Sequence, residues 1–474
     1  MLSDTALQAF AERVALALRH RPTLGQERAM AGFSRLLASE RPRSTLVLKG
    51  YAGTGKTALL GALVKTLQKD GSPVILLAPT GRAAKVMSAF SGHPASTIHR
   101  RIYRVGSGPD GHLELALAPN REQRALFVVD EASMIGSGEG SFGGHDLLTD
   151  LFEHVFQHPG NRLLIVGDPA QLPPVGETLS PALDVSILRD RHDLLAGAVE
   201  LTEVVRQQAL SGILANATEL RSQLAVEPPD IRFSTNGVDV VRIEGPDLED
   251  ELSTAFARYG EEEVCVLCRS NKRAYEYARQ VRARILGLEE EVSAGDRLMI
   301  VRNNYFWAGQ EGRAELMANG ELVEVLRVQG TEEKHGLRFA DLEVRWNDGA
   351  TERDLSVKAM LDVLAAPGAA LEPERSRALY GSVVAGLADR PRRERRELVR
   401  KDPWLNALQV KYGQAITGHK AQGGQWRAVF VEQGYLTEDM MDRDLVRWLY
   451  TAVTRATERL YLVNFHPRFF GEEP

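Results

Sequence analysis

Short apolar runs recur along this chain, each bounded by Gly, Pro or charged turns and followed by a stretch with helical spacing. Such alternation predicts parallel sheets with crossover helices. The predicted strands fall into two sets, 45–49, 74–78, 125–129 and 162–166, then 199–204, 264–268, 428–432 and 459–464. Between the sets, VGETLSPALDVSILRDRHDLLAGA (175–198) carries proline and mixed charge and reads as an interdomain connection. From 296 to 407 the texture changes to DRLMIVRNN, ELVEVLRV, LRFADLEVRW and ERDLSV, separated by turn signals such as Asn347-Asp348-Gly349. This predicts a small antiparallel barrel inserted into the second α/β unit. Residues 1–22 read as an amphipathic helix without a cleavable apolar region. GSGEGSFGG (136–144) reads as a flexible loop, and no repeat of fixed period occurs.

The chemistry sits at the ends of the predicted strands. TLVLKGYAGTGKTALL (45–60) places Gly50-x4-Gly55-Lys56-Thr57 between an apolar strand and a helix, the context that confirms a phosphate-binding loop. Glycines let backbone N–H groups converge on an anion, and the helix N-terminus adds positive potential. Gly50, Gly53, Thr54 and Gly55 form the cradle, Lys56 reaches the β- and γ-phosphates, and Thr57 offers a hydroxyl to Mg²⁺. A second buried strand, ALFVV, ends in Asp130-Glu131. A carboxylate there lies where open α/β sheets bind ligands. Asp130 suits the Mg²⁺ shell, and Glu131 suits orienting or deprotonating an attacking water. The expected cofactors are therefore ATP and Mg²⁺.

Composition fits this reading and narrows little else. The chain has 474 residues, is 43% hydrophobic and 26% charged, and carries a net charge of −6. That length allows two or three domains, and no apolar run approaches the ~18 residues of a membrane span. The expectation is a cytoplasmic protein with no membrane partner. An acidic net charge confines any nucleic-acid groove to a local patch. The two cysteines, Cys265 and Cys268, lie in the apolar run VCVLC and read as buried strand thiols rather than a metal or redox pair.

The segments GYAGTGKT, LAPTGRAAKVM, STIHR, VVDEASMI, VGDPAQLPPVG, LTEVVRQ, ITGHKAQGGQW and LYTAVTRATERLYLV occur in this order from about Thr23 to Val463. Together the set resembles superfamily 1B helicases of the RecD-like, Dda-like branch. The resemblance implies an α/β fold of two RecA-like P-loop domains with a small β-hairpin insertion and an inserted SH3-like barrel. Domain 1A would cover 1–98 and 124–185, domain 1B 99–123, domain 2A 186–295 and 408–474, and domain 2B 296–407. It further implies a monomeric ATP-dependent DNA helicase moving 5′→3′ on single-stranded DNA and acting at ss/ds junctions in repair, recombination or replication. An RNA translocase remains open, since phosphate contacts barely distinguish the sugars. A non-motor ATP switch subunit of a recombination or repair complex is the alternative from another class.

Carried onto matching positions, the resemblance makes Gln171 a γ-phosphate sensor and Arg206 and Arg455 arginine fingers from the second α/β unit. Without it, each arginine reads as a surface ion pair. Gln26 would read the adenine edge, although Thr23-x-x-Gln26 is also a capping-box pattern. Ala58 and Gly423 complete the ATP-contacting set. Thr80, Gly81, Arg82, Thr97, His99, Arg100, Thr417, His419 and Lys420 match DNA-contacting motifs. Their hydroxyls, backbone N–H groups and positive charge suit phosphates, and ordinary N-capping by Thr is the competing role. The family pattern has Ser and Glu where Ala421 and Gln425 stand here, which removes a carboxylate that could contact ribose. RIYRVGSGPDGHLELALAPNRE (101–122) reads as a hairpin, either a strand-separating pin or a plain surface feature. RPRRERRELVRK (390–401) either grips a nucleic-acid backbone or, through Glu394 and Glu397, forms a solvated i,i+4-paired helix.

Overall fold

The computed structural model describes residues 4–18, 20–107, 113–138, 146–205, 211–309, 316–347 and 351–472. The first part of the chain supplies β1 (Ser44–Gly50), β2 (Val74–Ala78), β3 (Ala95–Thr97), β4 (Tyr103–Ser107), β5 (Leu113–Leu117), β6 (Leu126–Val129), β7 (Arg162–Gly167) and β8 (Leu195–Leu201). Six of these form one parallel sheet in the order β3-β2-β6-β7-β1-β8, while β4 and β5 pair as a separate antiparallel hairpin. Side chains alternate across this sheet as strand geometry requires. Leu46, Leu48, Leu164 and Val166 face a core containing Phe33, Leu59 and Leu63. Val47, Leu163 and Ile165 face the opposite core, with Phe127, Phe152 and Leu183. Each fully buried Leu or Phe contributes roughly 1.5–3 kcal/mol. Helices on both faces therefore fix the sheet, and its C-terminal edge carries the chemistry.

The remaining strands are β9 (Val240–Ile243), β10 (Val264–Cys268), β11 (Arg297–Ile300), β12 (Leu322–Lys334), β13 (Leu337–Asn347), β14 (Glu352–Met360), β15 (Leu408–Tyr412), β16 (Ala415–Thr417), β17 (Trp426–Glu432) and β18 (Ala456–Val463). A second parallel sheet runs β16-β10-β17-β18-β9. Its inner strands carry continuous apolar runs, including a Phe430–Tyr461 stack with ring centroids 4.1 Å apart. β11 to β15 close a barrel around Trp346, Val325 and Val344. Two RecA-like units with an inserted barrel and hairpin are thus the architecture. Cys265 and Cys268 are free and buried in β10.

Three expectations need correction. β8 pairs with β1 along its whole length, so it belongs to the first sheet and not to the second. The segment 175–198 is accordingly no connection. Ala182, Leu183 and Leu188 are buried in the first core, and the first domain extends past residue 185 to at least Leu201. The barrel extends past 407, because β15 pairs with β11 and β14. Its closing β14–β15 contact is parallel while the others are antiparallel. Between those two strands lie helices Pro373–Gly386 and Arg392–Arg400, which the strand-like texture did not foretell. The second of them carries the expected i,i+4 pairs, with Arg390–Glu394 at 3.3 Å and Lys401–Glu397 at 2.7 Å. The turn at 348–350 and most of the glycine-rich loop 136–144 lie outside the described residues.

One buried ion pair ties the barrel to the second sheet. Arg282, on helix Asn271–Arg284, donates to both carboxylate oxygens of Asp296 at 2.5 and 2.7 Å, just ahead of β11. Asp296 Oδ2 also accepts from Ser293 N–H. Removing one partner of such a pair strands a buried charge. Asp296→Ala should therefore lower stability by about 3–5 kcal/mol in chemical denaturation, and a cost below ~1 kcal/mol would show the pair to be solvated.

Candidate nucleotide site and nucleic-acid interface

The phosphate loop follows β1 and runs into helix Lys56–Lys69. Gly53 and Gly55 both adopt positive φ, +74° and +78°. At Gly55 a Cβ would lie 2.6 Å from Gln26 Nε2, so close packing as well as backbone conformation requires glycine there. Lys56 Nζ donates to the carbonyls of Gly50 (2.5 Å) and Tyr51 (3.0 Å) and lies 3.7 Å from Asp168 Oδ2. Thr57 and Ala58 are exposed at the helix start. Gln26 is fully buried: its Oε1 accepts from Thr23 N–H, and its Nε2 donates to Thr54 O at 3.0 Å. Here the capping-box role is the one observed, extended into a brace under the phosphate loop.

Asp130 and Glu131 follow β6 on the same sheet edge. Asp130 Oδ1 accepts from Glu131 N–H at 2.9 Å. Burial, and then the neighbouring Glu131, pushes the Asp130 carboxyl up to about 7. Glu131 has φ +52°, a left-handed backbone that a glutamate adopts only at a cost of order 1–3 kcal/mol. Such strain concentrates where side-chain direction matters. Asp168 follows β7, is almost fully buried, and accepts from Ala170 N–H. Gln171 is buried beside it, and its Oε1 has no hydrogen-bond partner among the described residues.

The second unit meets this edge directly. Helix Arg443–Val453 brings Tyr450 to Ala52 and Asp168, and Thr451 to Leu172. Arg455, 4% exposed, donates to Thr451 O, Gly424 O and Thr454 Oγ1, all within its own domain. Arg206 lies outside the described residues. The strand that precedes it, β8, belongs to the first sheet. Gly423 packs against Ala83 and Thr80, where a Cβ would meet Ala83 Cβ at 2.7 Å. That places it with the Thr80 loop and not beside the phosphate loop.

Four of the nine expected nucleic-acid residues share one groove. Gly81, Arg82, Thr97 and Arg100 line a groove of about 1110 Å³ with Arg297, Glu321 and Gln425. Thr80 caps Ala83 N–H and Thr97 caps Arg100 N–H, so both hydroxyls perform the capping role. Arg82 lies over the Trp426 ring at 3.7 Å, and burial lowers its guanidinium to about 10. Burial takes His99 down to about 4, so its imidazole is neutral near pH 7 and carries no charge toward a phosphate. Arg100 donates to Leu316 O at 2.7 Å and lies 3.7 Å from Glu321, which ties it to the barrel. Glu321 is itself buried, accepts from Trp346 Nε1 and Ala318 N–H, and presses on Gly81. Thr417 is buried at the end of β16, His419 is exposed, and Lys420 is half-buried. Burial, with help from Lys411, pulls the Lys420 ammonium down to about 8. Tyr450, Thr451, Trp426 and Glu321 were not foreseen. All four lie inside segments singled out above, but their partners are remote in sequence.

A phosphate loop on one RecA-like sheet, bonded across a seam to a second such sheet, defines a tandem-domain P-loop NTPase fold. Comparison with known proteins narrows this. Residues 24–227 match the AAA domain family, and residues 412–463 match the UvrD-like helicase C-terminal domain. The ATP-dependent RecD2 DNA helicase of Deinococcus radiodurans is 30% identical over 423 residues, covering 88% of this chain and 46% of the relative. The ATP-dependent DNA helicase dda of Enterobacteria phage T4 is 30% identical over 190 residues, 39% of each chain. A Pif1 helicase from Bacteroides, solved with ADP-AlF3 and ssDNA, aligns over 96% of this chain and 95% of its own with a TM-score of 0.46 and 16% identity. The chain thus carries an AAA domain and a UvrD-like helicase C-terminal domain and is similar to DNA helicases of the RecD-like branch of superfamily 1B. The aligned region spans less than half the length of the Deinococcus and phage relatives.

Two stability predictions follow from these contacts. With its folded value near 7 and its unfolded value near 4, Asp130 holds a proton in the native state that it loses on unfolding between those pH values. Stability from this group therefore falls as pH rises through that window. Asp130→Asn should stabilise the nucleotide-free protein by roughly 1–3 kcal/mol at pH 8, with the gain vanishing near pH 4 in a thermal-melt series. A pH-independent difference would mean that charge burial is not the cause. At Gly81, a new Cβ would lie 2.3 Å from Glu321 Cγ. Gly81→Ala should cost about 1–3 kcal/mol by overpacking, and an unchanged melting temperature would show the barrel to be free to shift.

Proposed function

We propose that this chain is an ATP-driven DNA helicase that translocates 5′→3′ on single-stranded DNA and opens ss/ds junctions. The observation that carries the reading is the seam. The phosphate loop of one RecA-like unit is hydrogen-bonded to helix Arg443–Val453 of the other unit, which ends two residues ahead of Arg455. Hydrolysis in one unit can then be felt as a displacement of the second. On the ligand side, phosphate would draw Lys56 away from the Gly50 and Tyr51 carbonyls, since a charge-assisted contact outweighs two neutral acceptors. Glu131 would orient and deprotonate water, and Gln171 would donate its amide N–H to the γ-phosphate while its unpartnered oxygen accepts from the water. Arg455 would swing from its carbonyl cage to the transition state when DNA closes the units.

Thr57 and Asp130 fit a divalent cation, because a desolvated carboxylate that favours its proton is stabilised by a bound cation. Mg²⁺ held there would neutralise phosphate charge. DNA would run along the groove lined by Gly81, Arg82, Thr97 and Arg100, with Thr80, Thr417, His419 and Lys420 at its margin. The half-buried Lys420 ammonium would be stabilised by a phosphate. The β4–β5 hairpin would act as the strand-separating pin, in a cytoplasmic, monomeric motor. No helix among the described residues is long and apolar enough to cross a membrane.

Forked duplexes with a single 5′ or 3′ tail test the reading. Unwinding should require ATP and the 5′ tail, and strand release from a 3′ tail alone would reverse the polarity. Lys56→Ala should abolish turnover while the protein stays folded. Glu131→Gln should keep ATP binding but lose on the order of 10²–10⁴ in rate. Collapse of ATP affinity in Glu131→Gln would make Glu131 a binding residue instead. Oligo(rU) stimulating hydrolysis as well as oligo(dT) would favour an RNA translocase.

A further inference from the structure

Tyr450 belongs to the second unit, yet both hydrogen bonds of its hydroxyl go to the first. Its side chain is 1% exposed. The oxygen accepts from Ala52 N–H at 2.7 Å and the proton is donated to Asp168 Oδ2 at 2.8 Å. A phenol has one proton and a backbone N–H can only donate, so these directions are fixed. Ala52 is the third residue of the phosphate loop. Asp168 is also the carboxylate 3.7 Å from Lys56 Nζ. The neighbouring Thr451 accepts from Leu172 N–H at 2.9 Å, and Gln422 donates to Leu172 O at 2.6 Å. The same helical end holds Arg455, whose Nε donates to Thr451 O.

We infer that Tyr450 is a positioning residue whose hydroxyl couples occupancy of the phosphate loop to the placement of Arg455. The inference rests on the ATPase reading above and adds the element that transmits it. In this structure Ala52 N–H is satisfied by Tyr450 and Lys56 by two loop carbonyls. Phosphate is a stronger acceptor for both groups. Once it enters, Lys56 leaves Asp168, Ala52 turns from the phenol, and Tyr450 keeps Asp168 alone. The register of helix Arg443–Val453 against the first domain then changes, and Arg455 moves with the turn that carries it. A tyrosine present only to fill the core would need its ring and not its hydroxyl.

The test is steady-state ATP hydrolysis by the full chain, with ATP and oligo(dT) each varied, for wild type and Tyr450→Phe. The phenylalanine keeps the ring and removes the single oxygen. The DNA-stimulated kcat should fall roughly tenfold, with KM for ATP within about threefold of wild type. Thr451→Val, which removes the adjacent cross-domain acceptor at similar volume, should fall in the same direction and serves where Tyr450→Phe does not fold. Wild-type kcat in both variants would overturn the inference. So would a loss confined to KM, or one that follows a matching drop in melting temperature. A wild-type protein whose hydrolysis ignores DNA would refute the motor reading itself, and this inference with it, before any variant is compared.

Discussion

A loop shaped to hold phosphate oxygens presents donors that must find other partners when no anion is there. In this chain two of them, the Lys56 ammonium and the Ala52 N–H, are satisfied from within. Lys56 folds back onto Gly50 and Tyr51, Gln26 braces Thr54 from below, and a phenol from the other domain takes the Ala52 N–H. Leaving such groups unpaired in a buried seam costs about 1–3 kcal/mol each. Much of the contact between the two RecA-like units around the phosphate loop follows from this need. Across the seam Tyr51 lies under Arg221 of helix Gly212–Gln223 at 4.4 Å, while within its own unit it donates to Glu200 of β8. The nucleotide site and the domain seam are thus one structure.

The groove side obeys the same rule with the opposite charge. Helix Gly81–Ser91 and the turn at Thr97 present backbone donors and positive side chains, and the barrel answers with Glu321 against Gly81 and Arg100. Glu321 is kept in place by Trp346 and Ala318, so the carboxylate belongs to the barrel core as much as to the groove. Arg282 and Asp296 in turn anchor that barrel to the second sheet. A chain of polar contacts therefore runs from the second sheet through the barrel to the first.

What the sequence made legible was local. The strand, glycine loop and helix around Lys56 lie within sixteen residues, 45–60, and the carboxylates after β6 are likewise set by one strand end. Both were readable because their geometry depends on neighbours in sequence. Sheet membership was not. β8 has an ordinary strand pattern, and only its pairing with β1, about 150 positions earlier, decides which sheet it joins. β15 is separated from β14 by three helices, so nothing nearby announces that it closes a barrel. Tyr450 lay in full view inside LYTAVTR, but its partner Ala52 is 398 positions away. For the Thr80 and Thr97 loops the choice between capping and phosphate contact depended on geometry, which shows capping in both.

Hydrogen bonds suit this seam better than more apolar packing would. A large hydrophobic interface gains stability in proportion to area and opens only at proportional cost. Buried polar contacts are different, since their net contribution is small while the alternatives on offer decide whether they persist. A phosphate changes those alternatives at once for Lys56 and for Ala52, without disturbing the cores on either side. Arg455 follows the same logic. Its three bonds go to neutral oxygens of its own domain, and no carboxylate among the described residues pairs with it. A guanidinium held that way is positioned yet replaceable, because any anion that reaches it offers a stronger bond. Had Arg455 been paired with an aspartate, release would have required stranding a buried charge at about 3–5 kcal/mol. The neutral cage keeps the cation buried, ready and cheap to move.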